Sequence, residues 1–323
     1  MGTFKKPCIG ICDVLHNHAY ILNNAFVQGL QKHDCEIIIL THKHTFLELD
    51  LLIQKCQAVF FAYPLNIKKG KIKGEPWEFK HKLHVKEQCE EFNIKQIILD
   101  VGYIKNLHDT GFNEYEDCYS AIGYNNFKNL AEYHNKNSSK DRWKQLKTKI
   151  KEWKTGNEIL LFGQTVYGTS TQDVYIFKWY KKIVKRIVKN TNKQIRIRLH
   201  PRIFKRKKRR FSVIETIGEC LEKYKGRYIV SDNEKIEDDL KNANASITFS
   251  SNACIRSLLN GVPTICSSPK AMTYDISDND IKNIDNLPTF ERNQFFYDLA
   301  YTQWNLKEIK KGICWEHLKQ GLV

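Results

Sequence analysis

No apolar run in the 323 residues approaches the ~18 that a membrane span requires, and the amino-terminal MGTFKKPCIG lacks the architecture of a secretion signal. The reading is a soluble, cytoplasmic protein, in the host cytoplasm if the source is viral. The ten cysteines are scattered without a single CxxC pair, which fits a reduced compartment and excludes a disulfide framework. The nearest thing to a metal motif is Cys8-x3-Cys12-x3-His16-x-His18. Its two thiols fall inside a strand expected to be core, so no metal is expected there. GxxxxGK[ST] is absent, which removes that class of ATPase. Acidic residues are missing from one stretch altogether. Between Lys178 and Arg210 the chain carries 16 Lys or Arg in 33 residues and no acid. Removing those 16 from the 52 basic residues leaves 36, equal to the 36 acids, so the whole surplus of +16 is local. Such a block is the footprint of a polyanion such as nucleic acid, an anionic lipid surface or an acidic polysaccharide; a Lys-rich solvated face is the alternative.

What is present is alternation. PCIGICD (Pro7 to Asp13), CEIIIL (Cys35 to Leu40), AVFFA (Ala58 to Ala62) and IKQIIL (Ile94 to Leu99) read as strands. Helical patterns separate them at 20–32, 47–55 and 77–91. Short, continuously apolar strands between helices predict a parallel sheet covered on both faces. Residues 102–153 break the rhythm with aromatic, loop-rich sequence and a helix expected over 139–153. After Thr155-Gly156-Asn157 the alternation resumes with EILLF, QIRIRL, RYIV and SITF as strands and helices at 173–189, 212–224 and 234–242. The expected architecture is α/β, two Rossmann-like domains with a cleft between them and a C-terminal helical segment. The boundaries are placed at 1–155 for the first domain, 156–288 for the second and 289–323 for helices packing back across the cleft.

In such sheets ligands bind beyond the carboxyl ends of the strands. In the second half those positions hold Gly163 and Gln164, then Arg198 and His200, then Ser231 and Asp232, then Ser250, Ser251 and Asn252. The last set opens a helix from Ala253 that closes at Gly261-Val262-Pro263. Free N–H groups at such a helix entrance, together with its dipole, suit an anion. Glycine and hydroxyl turns, an imidazole and guanidinium groups all suit a pyrophosphate.

The strings ILLFGQ, RIRLHPR and NASITFSSNACIRSLLNGVPTI resemble the donor domain of GT-B glycosyltransferases, in particular phage-borne, DNA-base-modifying and capsule-locus families. DVGYIKN and DLAYTQWNLKEIKKGICWEHL carry the likeness into the first half and the tail. The resemblance implies a nucleotide-sugar donor, UDP-sugar first, held in the second domain by Gly163, Gln164, Arg198, His200, Ser231, Ser250, Ser251 and Asn252. It places the acceptor on the first. The departure is the run Lys205, Arg206, Lys207, Lys208, Arg209, Arg210, which a purely saccharide acceptor does not require.

Transfer to a hydroxyl needs a base, and the leaving diphosphate needs cations or N–H donors. Asp100 follows IKQIIL and is the first choice of base. Asp13 follows PCIGIC and is the second, with His16 and His18 beyond it. Side-chain cations and N–H groups remove the need for a metal, and Asp278-Asn279-Asp280 is read as a chance triplet. His81 and His84 read as surface residues. The favoured acceptor is a 5-hydroxymethylpyrimidine in double-stranded DNA, with 205–210 on the phosphates and Tyr103, Phe112, Tyr115, Tyr119, Tyr124 and Phe127 available to hold an extruded base. The alternatives are a surface polysaccharide or lipid-linked sugar acceptor, and a non-catalytic nucleic-acid-binding protein on the same fold. A monomer is expected.

Overall fold

The computed structural model describes residues 6–13, 17–62, 77–105, 118–124, 135–164 and 174–322. They pack into two compact units. One runs to Lys147 and resumes at Gln294, and the other is Thr148–Asn293.

The first unit is built on β1 (Cys8–Cys12), β2 (Glu36–Leu40), β3 (Ala58–Ala62), β4 (Lys95–Val101), β5 (Tyr119–Tyr124) and a late strand, β11 (Gln303–Asn305). Their spatial order is β11-β5-β4-β3-β1-β2. The inner strands β1 and β3 are buried at every position, as their unbroken apolar runs require. β2, β1, β3 and β4 are parallel, whereas β5 and β11 join antiparallel. Register sets Cys12 beside Leu40 on one side and beside Phe61 on the other. Helix α1 (Asn17–Leu30) lays Phe26 flat on Phe60, ring centroids 4.0 Å apart, with Trp315 edge-on at 6.3 Å. Helix α2 (Phe46–Ile53) starts at a Thr45–Glu48 capping box, and α3 is Trp77–Glu91.

The segment from Gln294 belongs to this unit for a chemical reason. The short helix α4 (Asp141–Gln145) supplies Arg142, 5% exposed. Its guanidinium grips Glu308 through two bonds of 2.6 and 2.7 Å, binds the carbonyls of Ala300 and Gln303, and lies 3.9 Å over Trp304. A buried fork of this kind needs all its partners in place, so it fastens the tail to the sheet.

The second unit has five parallel strands, β6 (Glu158–Phe162), β7 (Gln194–Arg198), β8 (Tyr228–Val230), β9 (Ala243–Thr248) and β10 (Thr264–Cys266), in the order β10-β9-β6-β7-β8. Helix α5 (Ile176–Asn190) buries Ile176, Phe177, Tyr180, Ile183, Val184 and Ile187 on one stripe and turns its lysines outward. Further helices are α6 (Pro201–Phe204), α7 (Lys207–Leu221), α8 (Ile236–Leu240) and α9 (Ala253–Leu259).

Two sequence expectations change here. The helix over 139–153 shrinks to α4, because Lys147 turns left-handed at φ 48° and the following residues run as a strap. Lys151 N–H and Lys154 N–H donate to the carbonyls of Leu259 and Gly261, both at 2.9 Å, and outcompete the local helix. Gly261 itself sits at φ +74°, where a Cβ would overlap the Glu152 carbonyl oxygen. The second change is the basic run. Lys207 to Arg210 form the first turn of α7, which begins five residues ahead of the helix start expected from periodicity, since Lys and Arg are good helix formers.

Candidate functional site

The polar strand ends of the second unit are brought together, but mostly against one another. Gly163 is held by its N–H on the Arg198 carbonyl at 2.7 Å. A Cβ there would meet Tyr180 Oη at 2.6 Å and the same carbonyl oxygen at 2.9 Å, so only glycine fits. Gln164 is buried, and its carboxamide oxygen accepts from the N–H groups of Ser250 and Ser251 at 2.8 and 2.7 Å. Ser251 N–H also reaches Thr248 Oγ1 at 2.8 Å, and Ser251 Oγ accepts from Ala253 N–H at 3.3 Å. Cys254 and Ile255 N–H groups bond back to Ser251 and Asn252 carbonyls. The expectation of free N–H groups at this turn is therefore corrected. Gln164 and Thr248 occupy Ser250 and Ser251, and Asn252 serves as the helix-capping position without a side-chain cap bond. Ser250 Oγ is buried and, among the described residues, has no hydrogen-bond partner.

Arg198 is likewise spent internally. It pairs with Asp239 at 2.5 Å and binds the carbonyls of Asn233 and Glu234 at 2.8 and 2.6 Å. Asp239, its side chain wholly enclosed, also accepts from Ser231 Oγ at 2.5 Å and Asn233 Nδ2 at 2.8 Å. Ser231 and Arg198, expected to face a ligand, instead fix the shape of the 231–235 loop. A buried polar group needs such partners, and Asp239 was invisible as a site residue because its partners lie 8 and 41 positions away. His200 caps α6, its Nδ1 accepting from Arg202 N–H at 3.2 Å. Asp278-Asn279-Asp280 is a folded turn: Asn279 bridges Cys266 N–H and the Tyr274 carbonyl, and Asp280 caps the next short helix.

Of the basic run, Lys205, Arg206, Lys207, Lys208 and Arg209 are exposed. Arg210 is half-buried, paired with Asp232 and stacked 4.2 Å over Phe204. The first turn of α7 holds four cations and no acid, opposed to its own dipole. Phe211, next in line, is 65% exposed.

In the first unit Asp100 lies within β4, opposite Ala121 of β5, and accepts from Val101 N–H at 2.7 Å. It is thus inside the ladder and not beyond a strand end. β3 stands between it and β1, a lateral separation of about 9–10 Å. Tyr103 nearby is buried, and burial raises its phenol well above the ordinary range, with Asp100 adding to the effect. Tyr124 is core, donating to the Leu318 carbonyl at 2.7 Å, and Tyr119 is a strand residue. These tyrosines do not form an open base platform, because Tyr119 and Tyr124 belong to β5 and Tyr103 is buried. His16, Phe112, Tyr115 and Phe127 lie outside the described residues.

Asp13 does follow its strand, and its N–H donates to the Leu40 carbonyl at 2.9 Å. Three side chains that sequence reasoning missed or misplaced bind carbonyls at the ends of β1, β2 and β3. Asn23 Nδ2 donates to the Cys12 carbonyl at 3.3 Å, His81 Nε2 to the Leu40 carbonyl at 3.1 Å, and Lys82 Nζ to the Ala62 carbonyl at 3.0 Å. His81 is fully buried, which corrects its reading as a surface residue; His84 is half-buried and paired with Asp50 at 2.7 Å. Burial pushes the Cys12 thiol up to about 12, so it stays protonated beside Lys82. Among the described residues no group of His, Cys, Asp and Glu is arranged to hold a metal, and no helix is long and apolar enough to cross a membrane.

No protein-family model matches the sequence, and no curated protein matches it. Among solved structures, the KpsC beta Kdo 2,7 transferase of Thermosulfurimonas dismutans is similar over 96% of this chain and 99% of its own, with a TM-score of 0.51 at 11% identity. MnaA of S. aureus, solved with UDP, is similar over 94% and 92% at a TM-score of 0.32 and 9% identity. The O-GlcNAc transferase of Thermobaculum terrenum covers 98% of this chain and 63% of its own at a TM-score of 0.35 and 11% identity. The last two superpose too loosely to carry an argument. The first shows the fold, which is that of GT-B glycosyltransferases.

Proposed function

We propose that this chain is a nucleotide-sugar-dependent glycosyltransferase that binds its donor on the second unit and its acceptor on the first. The observation that carries this reading is the clustering of polar groups at four successive strand ends of the second sheet. Gln164, His200, the 231–235 loop and Ser250 follow β6, β7, β8 and β9 in turn. Such a frame, already hydrogen-bonded, is preorganised and loses little on receiving a charged ligand. Ser250 Oγ is its unsatisfied group among the described residues, and the Arg202 guanidinium supplies positive charge for a leaving diphosphate. The acceptor base comes from the first unit, where Asp13 follows β1 and Asp100 lies within β4. No metal is required in this scheme.

The favoured acceptor is the hydroxyl of a 5-hydroxymethylpyrimidine in duplex DNA. The support is the cation-rich outward face of α5 and the five exposed cations at and just before the start of α7, which oppose that helix's dipole. A second reading, transfer to a glycan, is favoured by the fold likeness to a beta Kdo 2,7 transferase. The test is a panel of nucleotide sugars, UDP-sugars first, incubated with 5-hydroxymethylated duplex DNA in one arm and acidic oligosaccharides in the other, read by mass spectrometry. Product in the DNA arm supports the first reading and product only in the glycan arm the second. Calorimetry showing that the folded protein binds no nucleoside diphosphate would sink both. Turnover surviving EDTA is expected; rescue by Mn²⁺ after its loss would overturn the metal-free scheme.

A further inference from the structure

In the fold, the basic stretch 178–210 separates into cations that meet an acid and cations that do not. Lys193, Arg196 and Arg198 pair with Asp285, Glu158 and Asp239 at 2.8, 2.7 and 2.5 Å, and Arg210 pairs with Asp232. Arg202 is assigned to the donor above. The other eleven of the sixteen are exposed and, among the described residues, none of them forms an ion pair.

Six of the eleven stand on α5: Lys178, Lys181, Lys182, Lys185, Arg186 and Lys189. They are the exposed positions of that helix, all of them. With no acid in α5, the pairs four apart (178 with 182, 181 with 185, 182 with 186, 185 with 189) are like-charged and work against the helix. Its apolar stripe, buried in the same core as that of α7, holds it in place. A face that weakens its own helix and meets no acid among the described residues suits an anion from outside.

Geometry selects the anion. Because α5 joins the parallel strands β6 and β7, it runs from the carboxyl edge of the sheet back to the amino edge. From Lys178 to Lys189 it covers about 17 Å. Over such a length each strand of a duplex presents about five phosphates, close to one for each α5 cation. Helix α7 joins β7 and β8 and packs against α5, so residues 205–209 lie at the carboxyl edge, where α5 also begins. A helix lying in a membrane interface turns its apolar face to the lipid, whereas α5 buries that face and exposes cations alone.

We infer that α5 is a tether for flanking duplex: nucleic acid lies along the helix and is held by phosphates to one side of the nucleotide that reacts, whatever its sequence or modification. This deepens the DNA reading above and rests on it for the reacting nucleotide alone. Most of the strip leads away from the carboxyl edge, so its contacts fall on neighbouring base pairs. The consequence is a preference for long acceptors over short ones, expressed in KM.

The test measures binding of the full chain to unmodified duplexes of about 6 and about 24 base pairs over a range of salt, by fluorescence anisotropy. The longer duplex should bind more tightly and with the steeper salt dependence. Replacing all six α5 cations by Gln, a comparable helix former, should leave the melting temperature unchanged or higher. It should lower the log–log salt slope for the long duplex by up to about five units and close the gap between the two lengths. Replacing the five lysines by Arg should preserve both. With hydroxymethylated duplexes, the KM advantage of the longer acceptor should disappear in the Gln variant. Equal affinity for both lengths, or an unchanged slope in the Gln variant, would overturn the tether. So would tighter binding to phosphatidylserine vesicles, lost in Phe211→Ala, or to an acidic polysaccharide at the same salt. Absence of transfer by a protein that still binds duplex in a length- and α5-dependent way would count against the transferase reading alone.

Discussion

The two units present the same kind of edge, the carboxyl ends of a parallel sheet, and treat it in opposite ways. In the second unit the polar groups there close on each other: Arg198 on Asp239, Asp239 on Ser231 and Asn233, Gln164 on the turn at 250–251. In the first unit Asn23 and His81 brace carbonyls with one atom and hold the other idle. One edge is closed but for Ser250 Oγ, and the other keeps two open valences. Residue type alone does not distinguish them; the difference lies in whether each polar atom already has a partner.

The comparison breaks most readily at Asp239. Asp239→Ala strands a buried guanidinium and should cost about 3–5 kcal/mol in urea denaturation, whereas replacing Asp239 and Arg198 together by apolar residues should recover most of it. A stable Asp239→Ala protein that no longer binds UDP would show that the network serves the ligand and not the fold. Gly163→Ala drives a methyl against Tyr180 Oη and the Arg198 carbonyl and should cost about 1–3 kcal/mol by the same assay.

For the open edge the sharper probe is pH. The folded His81 has a pKa lowered from the ordinary 6.5 by burial, so below about 6.5 the unfolded chain takes up a proton that the folded one does not. Its contribution to stability is full above that pH and is lost as pH falls toward the folded value. The loss of melting temperature between pH 7 and 5 should therefore be smaller in His81→Gln than in the parent, and parallel curves would contradict a neutral buried ring. The smallest effect on the folded protein is expected at the surface. Neutralising Lys205, Arg206, Lys207, Lys208 and Arg209 should leave the fold intact, and the first turn of α7 no worse off. It should flatten the salt dependence of duplex DNA binding by up to about one unit of log–log slope for each phosphate that is no longer neutralised. An unchanged slope would assign the run to solvent and favour the glycan acceptor.

The strands were legible because CIGIC, AVFFA and the ILLF of β6 are unbroken apolar runs, and Gly261 announced its own left-handed turn. The strap at 148–154 was not, since its backbone partners at 259 and 261 are more than a hundred positions away and override a plausible helical period. The candidate site was legible as a set of positions and illegible as a set of valences. Arg198 read as a phosphate ligand because nothing local reveals Asp239 or the carbonyls at 233 and 234. His81 read as surface because its partner, the Leu40 carbonyl, lies 41 residues earlier.

The fastening of the tail by Arg142 has a consequence for biosynthesis. Residues 148–293 form a contiguous unit, but the sheet before them lacks its edge strand and the Glu308 partner of Arg142 until residues 294–308 are translated. On the ribosome the later-encoded unit is complete first, and the earlier one waits with an unpaired β5 edge and a buried-type cation still in water. Premature termination after residue 293 would therefore leave a folded second unit attached to an unfinished first one, the form that aggregation and quality-control proteases would meet.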